Sequence, residues 1–248
     1  MVAVAETFFF EQKACSQFDT VIAVSEQDRD TFLTLYKLNN ISTIPTGVDI
    51  AHFVPQDVLP TPSSLVFVGS MDWLPNEDAI LYFANEILPL LKKELPDIRL
   101  TVVGRNPSPR LKKRLTTIPE IQLTGWVDDV RPYIAKAALY IIPIRIGGGT
   151  RMKIYEAMAM GKAIISTSIG AEGLTVTNEE NIVLEDEPFA FSKKIVTMQK
   201  DSQSRTTLGK NAALYVREHC SWHQAGEVFH QVCYSTVHKS SRITTKNY

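Results

Sequence analysis

PIRIGGGTRMKIYEAMAMG, residues 143–161, is the stretch on which the fold turns. An apolar strand pattern from Ala138 closes at Pro143, Gly147, Gly148 and Gly149 follow, and a helix pattern runs from Thr150 to Met160. Ile154, Ala157, Met158 and Gly161 share one face of that helix, which leaves Lys153 and Glu156 off the buried stripe and close together. A strand, a glycine turn and a helix make the repeating unit of an open parallel sheet. In such sheets ligands bind at the carboxyl edge, where glycines let them approach the backbone and the free N–H groups of a helix start favour a phosphate. Arg151 and Lys153 suit a diphosphate, and the acceptor-only carboxylate of Glu156 suits two neighbouring hydroxyls of a ribose. A plain connecting turn explains the glycines alone, but it gives no reason for two cations and a carboxylate to gather at one helix start.

Working outward, the same alternation recurs. Strand patterns at Leu65–Gly69, Ile98–Val103, Ile121–Thr124, Ala138–Pro143 and Ala163–Ser166 are separated by helix patterns near 76–94, 110–117, 128–136 and 150–160. The fold class is therefore α/β, a Rossmann-like doubly wound parallel sheet. In the first of these helices Ile80, Phe83, Ala84, Ile87, Leu88 and Leu91 fall at helical spacing, Asn76 stands where a cap belongs, and Pro89 must bend or end the pattern. A strand, helix and strand pattern, Val21–Ser25, 26–37 and Ile41–Ile44, precedes a proline-bearing polar stretch at 50–63 that reads as a linker. From Pro188 to Val237 only helices are expected, the last opened by a Ser221–Gln224 capping box, and the tail from His238 to Tyr248 reads as polar and frayed.

The 26 basic and 27 acidic residues nearly cancel, so no overall field argues for nucleic acid, and any basic site has to be local. Three scattered cysteines, Cys15, Cys220 and Cys233, make no disulfide framework and suit a reducing compartment. The apolar start is interrupted at Glu6 and Glu11, too early for a signal or spanning segment, so a cytoplasmic protein is expected. Lys153 follows Met152 without the Gly-Lys-Ser/Thr of a nucleoside-triphosphate loop, and Gly69-Ser70-Met71-Asp72 lacks a dinucleotide turn. Asp28-Arg29-Asp30 reads as a solvated face. The scattered His219, Cys220, His223, His230 and Cys233 are broken up by the Ser221 cap and read as no zinc site. Trp73 and Trp126 sit beside strand ends, where an aromatic is more often core than a base platform.

Val21–Ser25, Gly47-Val48-Asp49 with Phe53, Phe67-Val68-Gly69, Val102-Val103-Gly104, Gly125-Trp126-Val127 and above all Glu156-Ala157-Met158-Ala159-Met160-Gly161 together resemble glycosyltransferase family 4, glycosyl transferases group 1 of the GT-B fold. The resemblance implies a retaining transfer of a sugar from a nucleotide-diphosphate donor to a glycan or lipid-linked acceptor, with no cofactor and no metal required. Carried over by position, Glu156 binds the ribose, and Gly125, Trp126 and Val127 with Gly104 and Arg105 border the base. Arg151 and Lys153 serve the diphosphate, and Gly148, Gly149 and Thr150 approach the phosphates and sugar, with Gly69 at the first strand end. Arg151, Lys153 and Glu156 are thus the catalytic candidates, acting by leaving-group stabilisation.

Two departures from the family pattern stand out. Many members carry a glutamate eight residues before the one matching Glu156, where this chain has Gly148, and many carry Arg and Lys after the first donor-domain strand, where it has Ser70–Asn76. The resemblance also lays out the domains: 1–55 the end of an acceptor domain, 56–63 the linker, 64–218 the donor-binding domain, 219–237 a helix crossing back, and 238–248 a flexible tail. A shortened acceptor domain implies exposed apolar surface, hence a homodimer or a partner chain that supplies the missing part, and the family suggests peripheral association at an inner membrane. Two other readings fit the same residues: a non-catalytic nucleotide-sugar-binding subunit, and a GT-B nucleotide-sugar epimerase.

Overall fold

The structure, a computed structural model, describes residues 2–244, with side chains described from Phe8 to His238. The chain divides into two units, 1–47 with 220–248, and 48–219.

In the first unit α1 (Val2–Cys15) precedes β1 (Val21–Ala23), α2 (Glu26–Leu35) and β2 (Ile41–Thr43). The strand, helix and strand follow the expected pattern, and β1 and β2 pair in parallel with Val21 opposite Ile41. Ser25 starts α2 by accepting the Asp28 N–H at 3.0 Å. α1 is a helix without a signature in the sequence, because its apolar residues crowd together instead of recurring on one side. It is tied to α2 by Gln12, which donates to the Tyr36 carbonyl at 3.1 Å. Arg29 of the Asp28-Arg29-Asp30 run pairs with Glu26 and Asp30 on the exposed surface of α2.

The second unit holds the sheet. β3 (Thr61–Val68), β4 (Arg99–Val103), β5 (Ile121–Gly125), β6 (Ala137–Ile142), β7 (Ile164–Ser166) and β8 (Val183–Leu184) are all parallel, in the order β5-β4-β3-β6-β7-β8. Numbered from its own first strand, this is the 3-2-1-4-5-6 order of a doubly wound sheet, and the winding reverses between β3 and β6. β6 is buried at all six residues, as a strand covered on both faces must be. β3 begins at Thr61, inside the stretch whose prolines suggested a linker to residue 63; Pro62 sits near the exposed start of the strand, where a missing N–H is tolerated.

The crossovers are α3 (Leu74–Tyr82) continued by a π-helical turn (Phe83–Ile87) into α4 (Leu88–Leu91), then α5 (Pro109–Leu115), α6 (Arg131–Lys136) and α7 (Met152–Ala159). Pro89 neither ends the first of these helices nor breaks it outright. Its ring and missing N–H disturb the preceding turn, and the chain absorbs this by widening to π geometry. Asn76 is not the cap: Trp73 occupies that position and Asn76 lies inside the first turn, nearly fully buried. α8 (Pro188–Lys200) and α9 (Ser202–His219) complete the unit.

α10 (Trp222–Thr244) returns to the first unit, where Thr236 meets Thr20 at 2.7 Å. Its start is the expected capping box: the Ser221 N–H donates to Gln224 Oε1 at 3.0 Å and the Gln224 N–H to Ser221 Oγ at 3.3 Å. The helix runs past His238, where the sequence suggested a frayed tail, and residues 245–248 of that tail lie outside the described residues. No helix among the described residues is long and apolar enough to cross a membrane.

Candidate active site

The ends of β5, β4, β3 and β6 bring Gly125, Gly104, Gly69 and the 147–149 loop to one sheet edge, in that order. Neighbouring strands lie about 4.8 Å apart, so these ends span about 14 Å. Between the ends of β4 and β3 the backbones are packed too tightly for a side chain: a Cβ on Gly104 would stand 1.8 Å from the Gly69 carbonyl oxygen. Further along the edge, Arg105 Nε donates to Ser70 Oγ at 3.1 Å, and Asn106 bonds Asp72 at 2.9 Å. A cleft of about 770 Å³ beside β5 is lined by Arg105, Gly125 and Trp126, with Trp126 68% exposed. Val127, next in sequence, is half-buried.

At the other end of the edge the loop is built around Arg151. Its guanidinium donates to the carbonyls of Gly147 (2.9 Å), Gly148 (2.5 Å) and Gly149 (2.8 Å), and it lies 4.8 Å from the centre of the Trp73 ring. Gly147 and Gly149 have φ of +84° and +97°, a region that a side chain would strain, so this wrap requires glycine at both positions. Arg151 is 4% exposed and its Nε has no partner. The sequence suggested that this cation meets a diphosphate, whereas here its donors organise the loop, and burial pulls its pKa down against the opposing pull of Glu172. Thr150 is half-buried behind the loop with its hydroxyl unpartnered.

Lys153 is the cation that reaches the sheet edge. Its ammonium donates to Asn76 Oδ1 at 2.8 Å, stands 4.3 Å from the centre of the Phe67 ring, and would be 3.0 Å from a Cβ on Gly69. Asn76 in turn donates to the Ser70 carbonyl at 2.8 Å, fixing which amide atom faces the lysine. Burial pushes the lysine pKa down to about 7, helped by the like charge of Arg151 and opposed by Glu156. Glu156, three residues on along α7, is half-buried, and among the described residues no hydrogen bond engages its carboxylate. Its pKa is raised by burial, against Lys153 and His52.

His52 and Glu172 belong to this neighbourhood without having been singled out from the sequence, and Asn76, read from the sequence as a cap, belongs to it as well. His52 sits in the stretch read as linker, and its carbonyl is held at 3.1 Å by Arg131, which also forks onto Asp129. Asn76 lies 77 residues from its lysine. No local pattern marks such pairs, because only the winding of the sheet brings them together. Among the described residues no group of three or more His, Cys, Asp or Glu is placed to hold a metal.

A doubly wound sheet of six parallel strands in this order defines a Rossmann-like domain. The model of the family described as glycosyl transferases group 1 matches residues 62–201, more than half of the chain, and the chain belongs to that family. It is 24% identical over 211 residues to an uncharacterized 44.6 kDa protein in the cps region of Klebsiella pneumoniae, covering 82% of this chain and 53% of the relative. It is 29% identical over 177 residues to an uncharacterized glycosyltransferase of Methanocaldococcus jannaschii, covering 68% of this chain and 44% of the relative. The chain thus spans about half the length of the curated relatives it matches. Among solved structures, the Anabaena protein HepE in complex with UDP and glucose superposes with a TM-score of 0.72 at 16% identity, over 92% of this chain and 66% of that one. The shared fold is that of GT-B glycosyltransferases.

Proposed function

We propose that this chain is the donor-binding half of a retaining glycosyltransferase, holding a nucleoside-diphosphate sugar along the carboxyl edge from β5 to β6. The observation that carries this reading is the pair Lys153 and Glu156: a half-buried cation and an unengaged carboxylate three residues apart on one helix, in a domain of the glycosyl transferases group 1 family. The base lies by Gly104, Arg105 and Gly125–Val127, where Trp126 offers an exposed ring. Glu156 accepts from the ribose hydroxyls, and the diphosphate lies over Lys153 and the start of α7. Arg151 acts by holding Gly147–Gly149 in shape, so Lys153 carries the direct charge on the departing phosphate. No metal or cofactor is assigned a part.

Retention of configuration is assigned by family resemblance. The acceptor is a glycan or lipid-linked glycan, a reading supported by the relative in a cps region. Peripheral attachment to a membrane from the cytoplasm fits a lipid-linked acceptor.

A ligand that binds only the folded state raises the melting temperature. In a thermal-shift series with UDP, GDP, UDP-glucose and GDP-mannose, at least one nucleotide should stabilise the chain, and Glu156→Ala should abolish most of that shift. A shift unchanged in the variant would remove Glu156 from the site and with it the basis of this reading.

A further inference from the structure

Gly148 leaves a gap in the wall of the site, and a side chain from elsewhere stands at it. A Cβ built on Gly148 would lie 3.6 Å from Glu172 Oε2, an ordinary contact, and from no other atom within 4 Å. Glu172 arrives on the segment after β7, which is fastened to the end of β6. Thr167 N–H donates to the Ile142 carbonyl at 3.1 Å, the Thr167 hydroxyl bonds the Ile144 carbonyl, and Gly170 N–H donates to Thr167 Oγ1 at 2.9 Å. The far end of this segment abuts the loop as well, since a Cβ on Gly173 would meet Thr150 Oγ1 at 3.1 Å. The segment that carries Glu172 is therefore anchored on one side by the bonds of Thr167 and Gly170 and packed against Thr150 on the other, and Glu172 is half-buried.

We infer that Glu172 is a specificity-determining residue that accepts hydrogen bonds from hydroxyls of the donor's hexose across the side-chain-free position 148. The inference rests on the proposed donor site and adds to it the class of group bound there. Glu172 already faces the positive charge of Arg151, and its remaining acceptor capacity suits neutral donors such as hydroxyls, whereas a carboxylate repels phosphate, so the diphosphate belongs at Lys153. A hexose with two free neighbouring hydroxyls brings such donors. The chain thereby replaces a carboxylate borne by the loop with one reaching in from the next crossover, and keeps three glycines for the wrap around Arg151.

Calorimetric titration of the whole chain with UDP, GDP, UDP-glucose and GDP-mannose gives the ratio of nucleotide-sugar to nucleoside-diphosphate affinity. Glu172→Ala and the isosteric Glu172→Gln should lower this ratio about tenfold or more, the scale of one charged hydrogen-bonding group, while nucleoside-diphosphate affinity stays constant. Gly148→Glu in the Glu172→Ala background should restore part of it, because both side chains reach the same space. An unchanged ratio, an equal fall for both ligand types, or a double variant that stays at the single-variant ratio would overturn the inference. If the unaltered chain binds none of the four, the proposed donor site itself fails.

Discussion

Lys153 is the residue of the proposed site that burial shifts to a pKa of about 7. It is then largely neutral at pH 8 in the empty site, while a bound diphosphate favours the ammonium. Binding above pH 7 must then take up a proton. The sign follows from linkage: the complex holds more protons than the free chain, so affinity falls as pH rises above about 7, by up to about tenfold per unit. Calorimetry of UDP binding at pH 8.5 in buffers of different ionisation enthalpy should show this uptake, and Lys153→Met should remove it along with most of the affinity. Uptake that persists in Lys153→Met would place the proton elsewhere. The sequence placed Lys153 and Glu156 off the buried stripe of α7 through helical spacing, where the structure also has them. It gave Arg151 the same role as Lys153, because spacing does not reveal that three carbonyls of the loop lie within reach of one guanidinium.

At the scale of elements, the alternation of apolar runs and amphipathic helices made β3 to β7 and α3 to α7 readable, since each strand is bounded by turn residues and each helix has one apolar stripe. β8 is two residues long, too short for a pattern, and α1 has no periodicity to read. Asn76 looked like a cap from its place before the stripe, but the helix starts two residues earlier, at Leu74, and the side chain serves Ser70 and Lys153 instead. How tightly β3 and β4 converge was equally hidden, and it matters for stability. Gly104→Ala would drive a methyl into the Gly69 carbonyl, which backbone atoms cannot yield cheaply. The expected loss is about 3 kcal/mol by urea unfolding, together with weakened nucleotide binding at the adjoining edge. A loss below about 0.5 kcal/mol would mean that the strand ends separate easily.

Over the whole molecule, every residue assigned to the donor site lies within 48–219, and so does the family match. The other unit exposes Phe9, Phe10, Phe18 and Leu35 around a sheet of two strands, fewer than an independent sheet normally needs. A polypeptide of residues 48–219 should therefore bind UDP or GDP with an affinity within about threefold of the full chain's, since it keeps all of the assigned contacts. A drop of more than about tenfold, from a fragment with native circular dichroism, would show that the first unit contributes to the nucleotide site. The sequence placed the boundary in the proline-bearing stretch, whereas the units divide at Gly47, because residues 48–60 pack with the larger unit through contacts such as that of Arg131 with the His52 carbonyl.

The central claim is that a nucleotide lies along the carboxyl edge of one sheet, and backbone amide chemical shifts during a titration with UDP and then GDP test it most directly. The account predicts that the amides of Gly69, Gly104, Gly125 and Thr150 shift together with one dissociation constant, while those of Val21–Ala23 and Ile41–Thr43 stay in place. Saturable shifts confined to other parts of the chain, with these four amides unmoved, would contradict it.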